Sequence, residues 1–88
     1  MTTRWIVQKS HKVAGPDEYE VNSLEELRQL LQDRADSYIA TDEHPPLGEL
    51  EYRYELDDGD EVFIVHVYFY NKYGDRARFA RLVRDDDA

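Results

Sequence analysis

The plainest pattern in the chain lies between Glu49 and Leu56, where Leu50, Tyr52, Tyr54 and Leu56 alternate with Glu49, Glu51, Arg53 and Glu55. Successive side chains of a strand point to opposite faces, so this period of two predicts a strand with one face buried and one wet. Asp57-Asp58-Gly59-Asp60 then supplies turn residues. Val62 to Tyr70 is apolar or aromatic at nearly every position, which predicts a central strand with both faces at least partly covered. Asn71 to Asp75 turns the chain again, and Arg76 to Arg84 alternates loosely as the last strand.

Earlier in the chain the period is different. Arg4 to Ser10 holds the β-forming run Trp5-Ile6-Val7 and ends in a loop marked by Gly15-Pro16-Asp17. Tyr19-Glu20-Val21 has the composition of a short return strand but is too brief to count as an element on pattern alone. Ser23-Leu24-Glu25-Glu26 matches a capping box, in which the serine hydroxyl accepts from the third helical amide and Glu26 reaches back. Leu24, Leu27, Leu31, Ala35 and Tyr38 then recur at threes and fours, with Leu30 widening the stripe, and predict an amphipathic helix. It must end before Pro45-Pro46, because a proline drives the residue before it out of helical geometry.

Register follows from which pairing unites the apolar sets, since a slip of one residue exchanges the faces. A loop from Asp57 to Asp60 sets Tyr54 against Phe63, Tyr52 against Val65 and Leu50 against Val67. A loop from Asn71 to Asp75 sets Phe69 against Ala77, Val67 against Phe79 and Phe63 against Val83, with Arg81 as the misfit on that face. The expected fold class is α+β, with one helix packed on one face of a mostly antiparallel four-stranded sheet in the order β-α-β-β-β. The first strand joins at an edge or beside the last strand. Residues 1–84 form the single domain and residues 85–88 a disordered acidic tail.

Composition restricts the function classes. A chain of 88 residues suffices for one core, burying roughly 60 to 65 % of its unfolded surface. There is no cysteine, which rules out disulfides and thiolate metal sites and fits a cytoplasmic setting. No apolar stretch approaches signal-peptide or membrane-span length, so no membrane role is expected. Acids outnumber bases 20 to 11, yet eleven aromatic residues (one Trp, seven Tyr, three Phe) are more than a disordered acidic chain would carry. The charge is uneven: Asp17 to Glu61 holds 16 acids and three bases, net −13, whereas Val62 to Arg84 holds one acid and five bases, net +4.

Chemistry finds little footing in these residues. His11, His44 and His66 lack metal-ligand spacing, and His66 faces Glu51 in the expected register, as an ordinary cross-strand pair. The Asp57 to Glu61 turn lacks the spacing and the terminal glutamate of a calcium loop. Gly15, Gly48, Gly59 and Gly74 are isolated turn glycines, and no serine sits in a nucleophile elbow. The expectation is a protein with no enzymatic activity, no cofactor and no bound metal.

Two surfaces remain as candidates. One is a negative surface built by the helix together with Asp42, Glu43, Glu49, Glu51, Glu55, Asp57, Asp58, Asp60 and Glu61, which suits a basic protein partner, such as one that handles nucleic acid. On that reading the chain is an inhibitor or antagonist of the immunity or anti-defence type, or a mimic of the DNA backbone. The other surface is the sheet face away from the helix, with Ile64, His66, Tyr68, Tyr70, Arg76 and Arg78 beside Glu49, Glu51, Arg53, Ala80 and Leu82. Through that face, or through an edge strand, the chain would form a homodimer or serve as an accessory module. Tyr68, Tyr70, Arg76 and Arg78 also resemble the stacking platform of single-strand nucleic-acid binders, but a net charge of −9 opposes direct binding of phosphate.

Overall fold

The computed structural model describes residues 2–11, 15–37 and 46–85. Its elements in chain order are β1 (Thr3–Ser10), β2 (Glu18–Val21), α1 (Leu24–Asp36), β3 (Leu47–Leu56), β4 (Val62–Tyr70) and β5 (Arg76–Asp85). The fold is α+β, as the periodicities predict, but the sheet has five strands. Their order is β2-β1-β5-β4-β3 and every neighbouring pair is antiparallel. The fifth strand is the short Tyr19 segment, which pairs with β1 and buries Tyr19 and Val21 on the core side. The first strand lies beside the last, and β5 runs on to Asp85, whose carboxylate meets Arg4 at 3.4 Å. Of the expected acidic tail, residues 86–88 lie outside the described residues.

The helix begins where its cap residues place it. Ser23 Oγ accepts from the Glu26 amide at 3.2 Å, and Glu26 Oε2 accepts from the Asn22 amide at 3.0 Å, one residue further back than the expected box. Leu27, Leu31 and Ala35 are buried against the sheet. Leu30, expected to widen that stripe, is exposed instead, because at about 100° per residue it stands roughly 60° from Leu27 and 100° from Leu31, past the margin of the buried stripe. Tyr38 lies outside the described residues. The core unites these helix residues with Trp5, Val21, Leu50, Val65, Val67, Phe69, Phe79 and Leu82.

Register departs from the expected pairing twice. On β3 the pairs are Tyr54 with Val65 and Tyr52 with Val67, two residues further along β4 than predicted. The cause is the turn. Asp57 Oδ1 accepts from the Gly59 and Glu61 amides, the Asp57 amide bonds Glu61 O at 2.8 Å, and Asp60 takes a left-handed φ of 60°. The loop is thus five residues long, and Phe63 is an extra residue in β4 beyond it. A shift of two keeps the faces, so Leu50, Tyr52 and Tyr54 still share a side with Val65 and Val67.

The second departure changes faces. Pairing of β4 with β5 follows the prediction from Tyr70–Arg76 to Tyr68–Arg78, then shifts so that Val67 meets Ala80 and Val65 meets Leu82. Phe79 is the inserted residue of a bulge. Beyond it Ala80 and Leu82 turn into the core, fully buried, Val83 meets Ile64 in place of Phe63, and Arg81 moves to the outer face opposite His66. The bulge removes the misfit: in the unbroken register a guanidinium would have been buried against Val65.

Candidate interaction surfaces

The helix covers one side of the sheet, and the other side is built from the outward positions of β3, β4 and β5. Cross-strand rows run Glu51–Tyr68–Arg78, Arg53–His66–Arg81 and Glu55–Ile64–Val83, with Tyr70 opposite Arg76 at the hairpin end. Tyr68 is clasped by guanidinium groups, with Arg76 Cζ 3.9 Å and Arg78 Cζ 5.9 Å from its ring centroid. Glu51 is the hub of the same region: it accepts from Tyr70 Oη at 3.1 Å and from Arg53 Nε at 3.2 Å, and Arg76 lies at 3.5 Å. These bonds hold its carboxyl below the usual carboxylate range, Arg53 contributing most. His66 Nε2 meets Glu55 Oε2 at 2.7 Å.

His66, Tyr68, Tyr70, Arg76 and Arg78 are therefore brought together as expected. Ile64 is on the same face but is only 8 % exposed, lying in the row of Val83 and Ile6, and offers no free contact area. Ala80 and Leu82 leave the face at the bulge. The partner of His66 is Glu55 instead of Glu51, for the register reason given above. Glu49 also leaves: the irregular pairing around Gly48, whose φ is +71°, carries it to the helix side.

The carboxylates expected to form one negative surface fall into separate groups. Glu51 and Glu55 are engaged on the outer face. Asp57 and Glu61 hold Arg84 of the last strand, at 2.7 Å and 3.5 Å, and Arg84 also donates to Val62 O. The Arg84 bond, followed by the turn amides, pulls the Asp57 carboxyl below its ordinary value. Asp58 and Asp60 remain exposed at the turn tip, and Asp42 and Glu43 lie outside the described residues. A continuous patch made of these nine residues is not what the described part of the fold presents, because last-strand arginines neutralise its middle.

A different group of carboxylates stands on the helix side. An open groove of about 290 Å³ runs between α1 and β3, lined by Glu25, Arg28, Gln29, Gln32, Glu49, Leu50 and Tyr52. Among the described residues no lysine or arginine nitrogen comes within 4.0 Å of Glu25, Asp33, Asp36 or Glu49. Asp33 and Asp36 accept only from the neutral amides of Gln29 and Gln32, each at 2.9 Å. Arg28 is turned along the strand to donate to Tyr54 Oη at 2.9 Å, and Tyr52 Oη donates to the Arg28 carbonyl at 3.1 Å. Burial at the groove floor pushes the Tyr52 hydroxyl up to about 12. The sequence pattern marked the helix as polar on this side, but the convergence of Glu49 with Glu25 depends on the break at Gly48 and has no signature in the alternation.

No group of three or more His, Asp or Glu side chains among the described residues is arranged to hold a metal ion. His11 packs its ring edge-on to Phe69 at 5.3 Å and stacked on Phe79 at 6.3 Å, and His44 lies outside the described residues. No helix among the described residues is long and apolar enough to cross a membrane. The chain matches no protein-family model, no curated protein and no solved structure.

Proposed function

We propose that this chain is a non-enzymatic binding protein that presents the carboxylates of its helix side to a basic protein partner. The observation that carries the reading is that Glu25 and Glu49 line an open groove, with Asp33 and Asp36 further along the same helix, and that no described lysine or arginine nitrogen lies within 4.0 Å of any of the four. Elsewhere on the molecule carboxylates are in direct contact with arginines; here the one arginine of the groove, Arg28, donates to Tyr54, and the carboxylates outnumber it. Charge complementarity of this kind speeds encounter and selects the partner more than it adds affinity. Surfaces rich in Lys and Arg are those of nucleic-acid-handling proteins, so the reading extends to an inhibitor or antagonist of such a protein, of the immunity or anti-defence type, with carboxylates standing where phosphates would. Among the described residues the two carboxyls whose acidity is shifted, Glu51 and Asp57, are both shifted toward the ionised form, the opposite of what a general acid requires. We place the site of action in the cytoplasm, since packing alone, with no cysteine, holds the fold.

The single-strand nucleic-acid reading of the outer face has less behind it, because the Tyr68 ring on which a base would stack is already covered by Arg76 at 3.9 Å. The deciding experiment compares the wild type with the fourfold variant Glu25→Gln/Asp33→Asn/Asp36→Asn/Glu49→Gln in retention of partners from a native extract. Basic proteins held by the wild type should be lost at high salt and lost by the variant, with association slowed about ten-fold or more. Retention that neither salt nor the substitutions disturb would remove the electrostatic basis of the proposal.

A further inference from the structure

We infer that the chain pairs with a second copy of itself along the free edge of β3, antiparallel about a two-fold axis at Tyr54, making one ten-stranded sheet from two sheets of five. The strand order leaves two edges, β2 and β3. The first is four residues long, but the second is ten, and an exposed, long edge with apolar side chains is a template for pairing. Leu56 is 54 % exposed and Tyr54 37 %.

Main-chain direction along β3 can be read from its bonds. The Asp57 amide donates toward β4, to Glu61 O, and the Leu50 amide donates the other way, to Gln32 Oε1 at 3.0 Å. Odd residues from Glu51 to Asp57 therefore point their N–H and C=O at β4, and even residues point theirs at the edge. At its beginning the edge is shielded: the Gln32 side chain takes both the Leu50 amide and the Gly48 carbonyl. Tyr52, Tyr54 and Leu56 follow, and no described residue bonds their outward main-chain groups. Three donors and three acceptors at alternate positions match those of a second copy running antiparallel.

Side chains select the register. About Tyr54, Tyr52 meets the second copy's Leu56, and Arg53 meets its Glu55 in two symmetric pairs. Arg53 and Glu55 are 64 % and 50 % exposed, and each has one bond within its own chain, to Glu51 and His66, so that reaching across means sharing or exchanging an exposed partner. An axis at Arg53 would oppose arginine to arginine and Glu51 to Glu55, and an axis at Glu55 would oppose two glutamates. An axis at Tyr52 would require Leu50, whose amide Gln32 already holds. Like charges directly opposite are destabilising; the Tyr54 axis has such a pair only at its ends, Glu51 against Asp57, where each carboxylate is already held by an arginine of its own chain, so it is preferred.

Hydrogen exchange and sedimentation on the purified chain test this without any other partner, so the outcome is independent of the helix-side proposal. Protection of the Tyr52, Tyr54 and Leu56 amides should rise with protein concentration, while those of Arg53 and Glu55 are protected throughout. Arg53→Glu should weaken the dimer on the order of ten-fold, and Arg53→Glu/Glu55→Arg should restore it, with circular dichroism unchanged in each. A chain that sediments as a monomer up to its solubility limit, or edge amides that exchange equally fast at all concentrations, would overturn the inference. A double variant as weak as Arg53→Glu alone would overturn the register.

Discussion

At the scale of single residues the two hairpin turns are variations on one device. Asn71 Oδ1 accepts from the Tyr73 and Asp75 amides as Asp57 Oδ1 does from Gly59 and Glu61, and the fourth position is left-handed in both, Gly74 at φ 82° and Asp60 at φ 60°. Asp tolerates that conformation and a β-branched residue does not. Asp60→Gly should therefore be neutral or mildly stabilising, whereas Asp60→Val should cost about 1 to 2 kcal/mol in urea unfolding. Equal stabilities would contradict the turn geometry. Asp57 carries a second consequence. Its folded-state acidity is stronger than in the unfolded chain, so its bond to Arg84 contributes stability at neutral pH that disappears as pH falls through the folded value. Asp57→Asn should lower the unfolding midpoint at neutral pH and converge with the wild type in strong acid. Parallel curves over the whole range would mean the pair contributes nothing. At the other extreme, Tyr52 is neutral in the fold until about pH 12, so stability falls as pH rises above the ordinary tyrosine value, and Tyr52→Phe should flatten that loss.

At the scale of elements, the strands and the helix start were legible because alternation and capping are local properties. What alternation cannot carry is an insertion: Phe79 is one extra residue, and everything after it changes sides. The sequence did hold the signal, since Arg81 falls on the buried face in the unbroken register, and a charged residue in a core position argues for a bulge before it argues for a buried charge. The β3–β4 offset left no such mark, because a shift of two preserves every face. Four residues of β2 lie below the length at which pattern decides. The helix separates two leucines that are adjacent in sequence. Leu31→Ala should cost about 2 to 5 kcal/mol, and Leu30→Glu should stay within roughly 0.5 kcal/mol, because only Leu31 is sealed against the sheet. A large loss from Leu30→Glu in thermal unfolding would show that the apolar stripe is wider than the packing indicates.

At the scale of the whole molecule, the excess of acid in the Asp17–Glu61 segment was legible as a number but not as a shape. Folding brings Arg76 and Arg84 of β5 against Glu51, Asp57 and Glu61, which a count along the chain cannot foresee, and leaves Glu25, Asp33, Asp36 and Glu49 of the helix side without a described ion pair. The two sides should answer salt in opposite senses. Screening weakens the exposed ion pairs of the outer face, each worth little, and relieves the mutual repulsion of a chain with net charge −9. Repulsion acts over the whole molecule and the pairs act singly, so the balance favours stabilisation. Added salt should raise the melting temperature by a few degrees, given that about 1 kcal/mol corresponds to roughly 4 to 8 °C for a domain of this size. The fourfold helix-side variant should melt higher than the wild type at low salt and gain less from salt, since the charges responsible have been removed. Melting temperatures that fall as salt rises would place the dominant electrostatics in the Arg84 and Glu51 pairs, and the helix-side carboxylates would then no longer be an unspent charge available to a partner.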